Sequence, residues 1–248
     1  MTMAKFSRFP TLLGTLALTL ALAESAPAQG PGGRSSPLPG VAVPSEPPPW
    51  SGESGASGHP AMQADAIRAA ATNFRACLEG LWPQAARRGV PRPMFDAQVA
   101  DLTPDLRIMD LMDAQPEFTK SLWDYLDILV NDARIENGRA ILAKHAAAFD
   151  AAEKAYGVDR FFIAAIWGIE SNYGIAVGER PVIRSTATLA CIGRRQDYFR
   201  EEFLSALEIL ARGDVKPHHL KGSWAGAFGP TQFMPTSFKR YAVDFDGD

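Results

Sequence analysis

Three observations predict a mainly α-helical fold. From about Ala61 onward, apolar residues recur at helical spacing, glycines stand where such runs stop, and alternating strand-type patterns are nearly absent. Ile67, Phe74 and Leu81 repeat every seven residues, with Ala70, Ala71, Cys77 and Leu78 in the same stripe, and Pro83 and Gly89 are expected to stop it. Shorter helical patterns span 93–100 and 122–130, and a longer one spans 139–156 and ends at Gly157. A strongly apolar run follows at 161–169, with Asp159 as its expected N-cap and Gly174 as its expected stop. The last clear pattern covers 196–212, with Phe199, Phe203, Ala206, Leu207 and Leu210 on one face and Gly213 after it. No internal repeat is visible.

The first 60 residues read differently. Lys5 and Arg8 precede an apolar stretch at 12–23, and small residues follow through Ala28, the pattern of a secretory signal peptide spanning 1–28. The apolar stretch is shorter than the roughly 20 residues of a membrane-spanning helix, and no cysteine follows it to carry a lipid anchor. Residues 29–60 are crowded with proline, glycine and serine, a composition too poor in apolar residues to offset its ordering entropy, and so read as a disordered linker. The helical domain is expected to occupy 61–248. With 46% apolar residues, the 248-residue chain has enough for a proper core. Loss of the first 28 residues leaves 23 basic residues against 27 acidic ones, a balance that points away from nucleic acid.

Export would place Cys77 and Cys191 in an oxidising compartment, where one disulfide is the only intramolecular pairing. Both also sit among apolar helical neighbours, so two buried free thiols are the competing reading.

Glu170 closes the apolar run. On a helix, Ile166 and Trp167 lie one turn before it on the same face. Apolar neighbours and the negative end of the helix dipole both disfavour an ionised carboxylate, so Glu170 is expected to be shielded and to hold a proton, as a general acid must. A second stretch, Gly222-Ser223-Trp224-Ala225-Gly226-Ala227-Phe228-Gly229-Pro230-Thr231-Gln232-Phe233-Met234-Pro235, places three glycines within eight residues and sets Ser223 and Gln232 among aromatic side chains. That combination suits a sugar site; the competing reading is a tight loop whose aromatic residues only pack.

Together, Ile169-Glu170-Ser171-Asn172-Tyr173-Gly174, Gly222-Ser223-Trp224-Ala225-Gly226-Ala227 and Gln232-Phe233-Met234-Pro235 resemble the lytic murein transglycosylases of the B type. The resemblance covers about residue 65 to the C-terminus and implies a lysozyme-like helical core with additional helices. It further implies cleavage of the MurNAc-GlcNAc β-1,4 bond of peptidoglycan, with a 1,6-anhydro-MurNAc product, no required cofactor and a monomeric enzyme in the periplasm. Glu170 matches the catalytic acid, which then acts as base. Ser223 and Gln232 match cleft positions that hydrogen-bond Glu170 or the sugar N-acetyl group, and Tyr173 and Trp224 are candidate platforms for sugar rings, with packing as the alternative for each. Relatives of this kind continue beyond Asp248, so the chain reads as truncated. Glycan strands are the expected partner, alongside cell-wall machinery.

Asp244, Asp246 and Asp248 alternate like the first ligands of a calcium loop. The later ligands are missing, so structural Ca²⁺ is expected only in an extended form, against a solvated acidic tail in this one. His59, His145, His218 and His219 lack zinc spacing, Cys191 has no histidine near it in sequence, and no serine sits in a glycine-flanked elbow. Asp124, Asp127 and Asp132 read as a hydrated helix edge. Besides the transglycosylase reading, a muramidase hydrolysing the same bond and a non-catalytic glycan-binding protein fit these residues.

Overall fold

The computed structural model describes residues 49–114 and 120–243. The signal-peptide segment, most of the linker and the aspartates 244, 246 and 248 lie outside them. The described chain is mainly α, with α1 (Ala64–Thr72), α2 (Phe74–Arg87), α3 (Arg92–Val99), α4 (Arg107–Asp113), α5 (Leu122–Leu129), α6 (Asp132–Lys144), α7 (Ala146–Tyr156), α8 (Arg160–Ser171), α9 (Val182–Cys191), α10 (Gln196–Arg212) and α11 (Pro235–Tyr241). Strands β1 (Arg180–Pro181) and β2 (Lys221–Gly222) pair antiparallel, with Arg180 opposite Gly222. No described helix is long and apolar enough to cross a membrane.

The core is built on α9, in which every residue but Arg184 is buried. Helix α10 packs along it through Phe199, Phe203, Leu204 and Leu207, while α2 closes the other side with Phe74, Leu78 and Leu81. The predicted heptad stripe is real, since Ile67, Phe74 and Leu81 are all at most 5% exposed. It is carried by two helices, however, because the chain breaks at Asn73. Pro83 does not stop α2: burial of Leu81 and Ala85 on either side outweighs the hydrogen bond that proline removes, and the helix runs on to Arg87 before Gly89 turns the chain.

The 139–156 pattern is likewise two helices. Helix α6 starts earlier, where Asn131 caps the amide of Arg134 at 3.0 Å, and ends at a break at His145; α7 then runs to the left-handed Gly157. Helix α9 was not readable from the pattern. Its β-branched and hydroxyl residues favour other conformations except where, as here, Thr186 and Thr188 donate back to the carbonyls of Val182 and Arg184 at 2.7 and 2.8 Å.

Cys77 and Cys191 form a disulfide that ties α2 to α9, which settles the choice left open by the sequence. Nearby, the Arg88 guanidinium binds Glu201 and Glu208 of α10, and Lys239 of α11 also reaches Glu208 at 2.6 Å. Glu201 is held below the usual carboxylate range chiefly by its hydrogen bond from Arg88. Buried Glu202 accepts the amide and hydroxyl of Thr236 at 2.9 and 2.7 Å, placing its charge at the start of α11.

The folded region begins before residue 61, correcting the expected linker boundary. Ser51 donates through its amide and hydroxyl to Asp110 at 3.0 and 2.6 Å, Arg68 lies over the Trp50 ring, and the Ser54 hydroxyl accepts from the first amide of α1. Backbone and short hydroxyls supply this strap with partners, which composition alone does not report.

Candidate active site

Helices α5 to α8 stand outside the main hydrophobic cluster, which draws no residue from 120–181. Helix α8 instead buries a face of small residues, Ala164, Gly168 and Ser171, and packs on α6 and α7. Four of its bulky residues point outward, Phe161 at 67%, Phe162 at 70%, Ile166 at 53% and Ile169 at 44% exposed, while Trp167 packs against His145 and Tyr173.

Glu170 occupies the last turn of α8, as the sequence predicts, with the Asp159 carboxylate capping the first turn at 2.7 Å from the amide of Phe161. The expected shielding is absent, because Glu170 is itself exposed. An apolar run supplies apolar neighbours, but only a packed partner supplies enclosure, and this face of α8 has none among the described residues. The carboxyl is therefore open to a ligand approaching from solvent.

The chain leaves α8 through three successive left-handed residues, Asn172, Tyr173 and Gly174, with φ of 48°, 59° and 88°. Such a conformation is costly for tyrosine and persists only where the surroundings fix it. Here the Tyr173 ring enters the slot between α6 and α8 beside Gly138 and Gly168, and its hydroxyl donates to the carbonyl of Arg134 at 3.0 Å. A Cβ at Gly168 would stand 2.6 Å from that hydroxyl and 2.7 Å from the ring. Tyr173 is thus a structural wedge, which favours the packing alternative for its ring: the ring is engaged by the protein and borders an apolar cavity of about 120 Å³ lined by Val130, Ile135, Ala165 and Ile169.

The loop from β2 to α11 meets the end of α8 at Pro230. It is folded on itself by Phe228 pairing with Phe233 and by the Ser223 amide donating to the Ala227 carbonyl at 2.8 Å. Gly226 has φ 92° and lies where a Cβ would meet the Thr186 methyl at 2.5 Å, so the loop reaches the buried face of α9 only because glycine stands there. The Ser223 hydroxyl accepts from the Ala227 amide at 3.1 Å, which leaves its proton free to donate outward.

Gln232, left-handed at φ 48°, donates from Nε2 to the carbonyls of Val177 and Gly229, each at 3.0 Å. Two carbonyl neighbours assign the amide orientation, so only its Oε1 remains free. Gln232 can accept from a sugar hydroxyl or an acetamido N–H, but with both amide protons committed it does not donate to a Glu170 carboxylate, one of the two roles expected of it. Trp224 is half-buried against the main core, which favours the packing alternative for its ring.

Sequence reasoning missed Ser171, which is 1% exposed. Its hydroxyl donates to the Pro230 carbonyl at 2.5 Å and accepts from the Gly174 amide at 3.0 Å, tying the end of α8 to the 222–234 loop. The available signal was a hydroxyl residue at the stop of an apolar helix, just before a left-handed turn. Among the described residues no three His, Cys, Asp or Glu side chains converge on a metal position.

The description "Transglycosylase SLT domain" fits residues 73–248. Membrane-bound lytic murein transglycosylase B of Escherichia coli (strain K12) is 37% identical over 126 residues, which are 50% of this chain and 35% of that protein. Crystal structures of SltB3 from Pseudomonas aeruginosa, in complex with NAG-NAM-pentapeptide and with NAG-anhNAM-pentapeptide, superpose with TM-scores of 0.67 and 0.66 at 43% identity, covering 71% of this chain and 47% of that one. The matches therefore span less than half the length of these relatives.

Proposed function

From the premise that this chain belongs to the transglycosylase SLT domain family, we propose that it is a peptidoglycan lytic transglycosylase whose acid and base is Glu170. The observation that carries the reading is the placement of Glu170 at an open helix end, which the Ser171–Pro230 hydrogen bond ties to a loop presenting a free donor at Ser223 and a free acceptor at Gln232. A glycan strand lying along that loop would cover the exposed carboxyl and the outward apolar residues of α8. Water leaves the site on binding.

Glu170 then donates its proton to the oxygen bridging MurNAc and GlcNAc as the bond to C1 breaks. The resulting carboxylate takes the proton of the muramoyl C6 hydroxyl, whose oxygen closes onto C1. Ring closure needs no second carboxylate, because the nucleophile is part of the substrate and its effective concentration is high. The anhydro sugar held by SltB3 supports this outcome.

Export to the periplasm is supported by the charged and apolar pattern at the start of the sequence, and the Cys77–Cys191 disulfide suits an oxidising compartment.

The test is digestion of purified sacculi followed by mass spectrometry. Anhydro ends, lighter by one water than reducing ends, are expected from the native chain. Glu170→Gln should keep its denaturation midpoint and lose turnover by about 10²-fold or more, because an amide preserves size but cannot give the proton. A digest holding only reducing ends would make the protein a muramidase. Sacculus binding without released fragments, unchanged by Glu170→Gln, would make it a glycan-binding protein.

A further inference from the structure

The hydroxyl of Ser171 has a position that packing alone does not explain. Helix α8 contributes nothing to the main hydrophobic cluster, whereas the loop carrying Ser223 and Gln232 is anchored to it through Phe228, half-buried Trp224 and Met234. Two halves of the site therefore belong to two differently supported parts of the fold. Among the described residues, the Ser171–Pro230 hydrogen bond is the only one that joins α8 to the 222–234 loop. The hydroxyl has a single proton, and it goes to the nearer Pro230 carbonyl rather than to that of Trp167 at 3.3 Å.

The same residue also fixes the turn beyond the helix, accepting the Gly174 amide on its hydroxyl and the Ala176 amide on its carbonyl at 2.8 Å. The last carbonyls of a helix have no intrahelical partner, so an unanchored final turn frays. Glu170 sits in that final turn, one residue away.

We propose that Ser171 is a positioning residue: its hydroxyl sets the separation and angle between the Glu170 carboxyl and the Ser223–Gln232 loop, so that acid and bound glycan meet in reactive geometry. The inference rests on the transglycosylase reading given above. Ser171 touches no substrate atom in it, so its effect falls on the chemical step and spares ground-state binding of a strand held chiefly by the loop.

The experiment compares native chain, Ser171→Ala, Ser171→Cys and Ser171→Thr on a soluble glycan fragment, with rates normalised to the folded fraction. A displacement near 1 Å lowers a positioned reaction by about 10²-fold, so Ser171→Ala is expected to lose about 10- to 100-fold in kcat with KM held within about twofold. Thr, which keeps the hydroxyl, should recover most of that loss, and Cys, a weak donor, should fall between. Should Ala not fold, the Cys and Thr variants carry the same comparison. A kcat within about twofold of native in folded Ala or Cys variant, or a KM that rises while kcat holds, overturns the positioning role. An inactive native chain would instead overturn the functional reading itself, so the two failures are distinguishable.

Discussion

The wedge of Tyr173 between two helical glycines yields a test in which two similar substitutions should behave differently. A methyl group added at Gly138 would fall inside contact distance of the Tyr173 hydroxyl but 3.2 Å from ring carbon Cζ and 3.8 Å from Cε1. At Gly168 the added methyl would meet the ring as well, with Cζ at 2.7 Å and Cε1 at 3.0 Å. Replacing a mid-helix glycine with alanine gains about 1 kcal/mol of helix propensity. Against it stand about 1–3 kcal/mol for overpacking and about 1 kcal/mol for the lost bond to the Arg134 carbonyl. Gly138→Ala should therefore destabilise the native chain by about 1–3 kcal/mol. In a Tyr173→Phe background the obstructing oxygen is gone and that bond is already absent, so Gly138→Ala should become neutral or stabilising by up to about 1 kcal/mol. Gly168→Ala should stay destabilising in both backgrounds, since the ring remains. Urea denaturation of the six proteins supplies both cycles, with a coupling of about 2 kcal/mol expected at Gly138. Equal effects of Gly138→Ala in the two backgrounds would refute the wedge.

Two further outcomes concern the rest of the fold. Replacing Cys77 and Cys191 with serine, which opens a loop with a sequence separation of 114 residues, should lower stability by about 2–5 kcal/mol in urea denaturation, and added reductant should do the same to the native chain. Burial pushes the Asp110 carboxyl up, but the Ser51 hydroxyl and amide and the Arg107 guanidinium outweigh it and hold the group below its ordinary value. Its contribution is thus present above about pH 4 and lost as pH falls through the lower folded value. The stability gap between native chain and Asp110→Asn, followed by urea midpoint against pH, should narrow below that point; a pH-independent gap would count against the strap.

How much of this was legible in the sequence depends on which force set each feature. The stripe of Ile67, Phe74 and Leu81 was readable because one face of each helix meets the core, and Gly157 and Gly213 marked helix ends because left-handed backbone favours glycine. Helix α9 was hidden because its β-branched and hydroxyl residues favour other conformations in isolation. Glu170 was singled out by its place at the end of an apolar run, and the helix is there, yet its exposure was misjudged: an apolar run reports what could be buried, whereas only tertiary packing decides what is. The linker boundary was set by a few contacts of Trp50, Ser51 and Ser54, which composition does not report, and the helix breaks at Asn73 and His145 have no glycine or proline beside them to mark a stop. Ser223 and Gln232 were singled out by motif, but the committed protons of Gln232 follow from where Val177 and Gly229 happen to lie.

The bridge from α2 to α9 has a consequence for how the molecule meets a protease. It spans a stretch that includes α5 to α8 and the Glu170 helix. A cut anywhere in that stretch frees no fragment while the sulfurs stay joined; a denaturing gel run without reductant would show one intact band, and only thiol treatment would release two. A nick beside the Glu170 helix thus leaves a non-reducing gel unchanged, and the damage shows only once the disulfide is reduced.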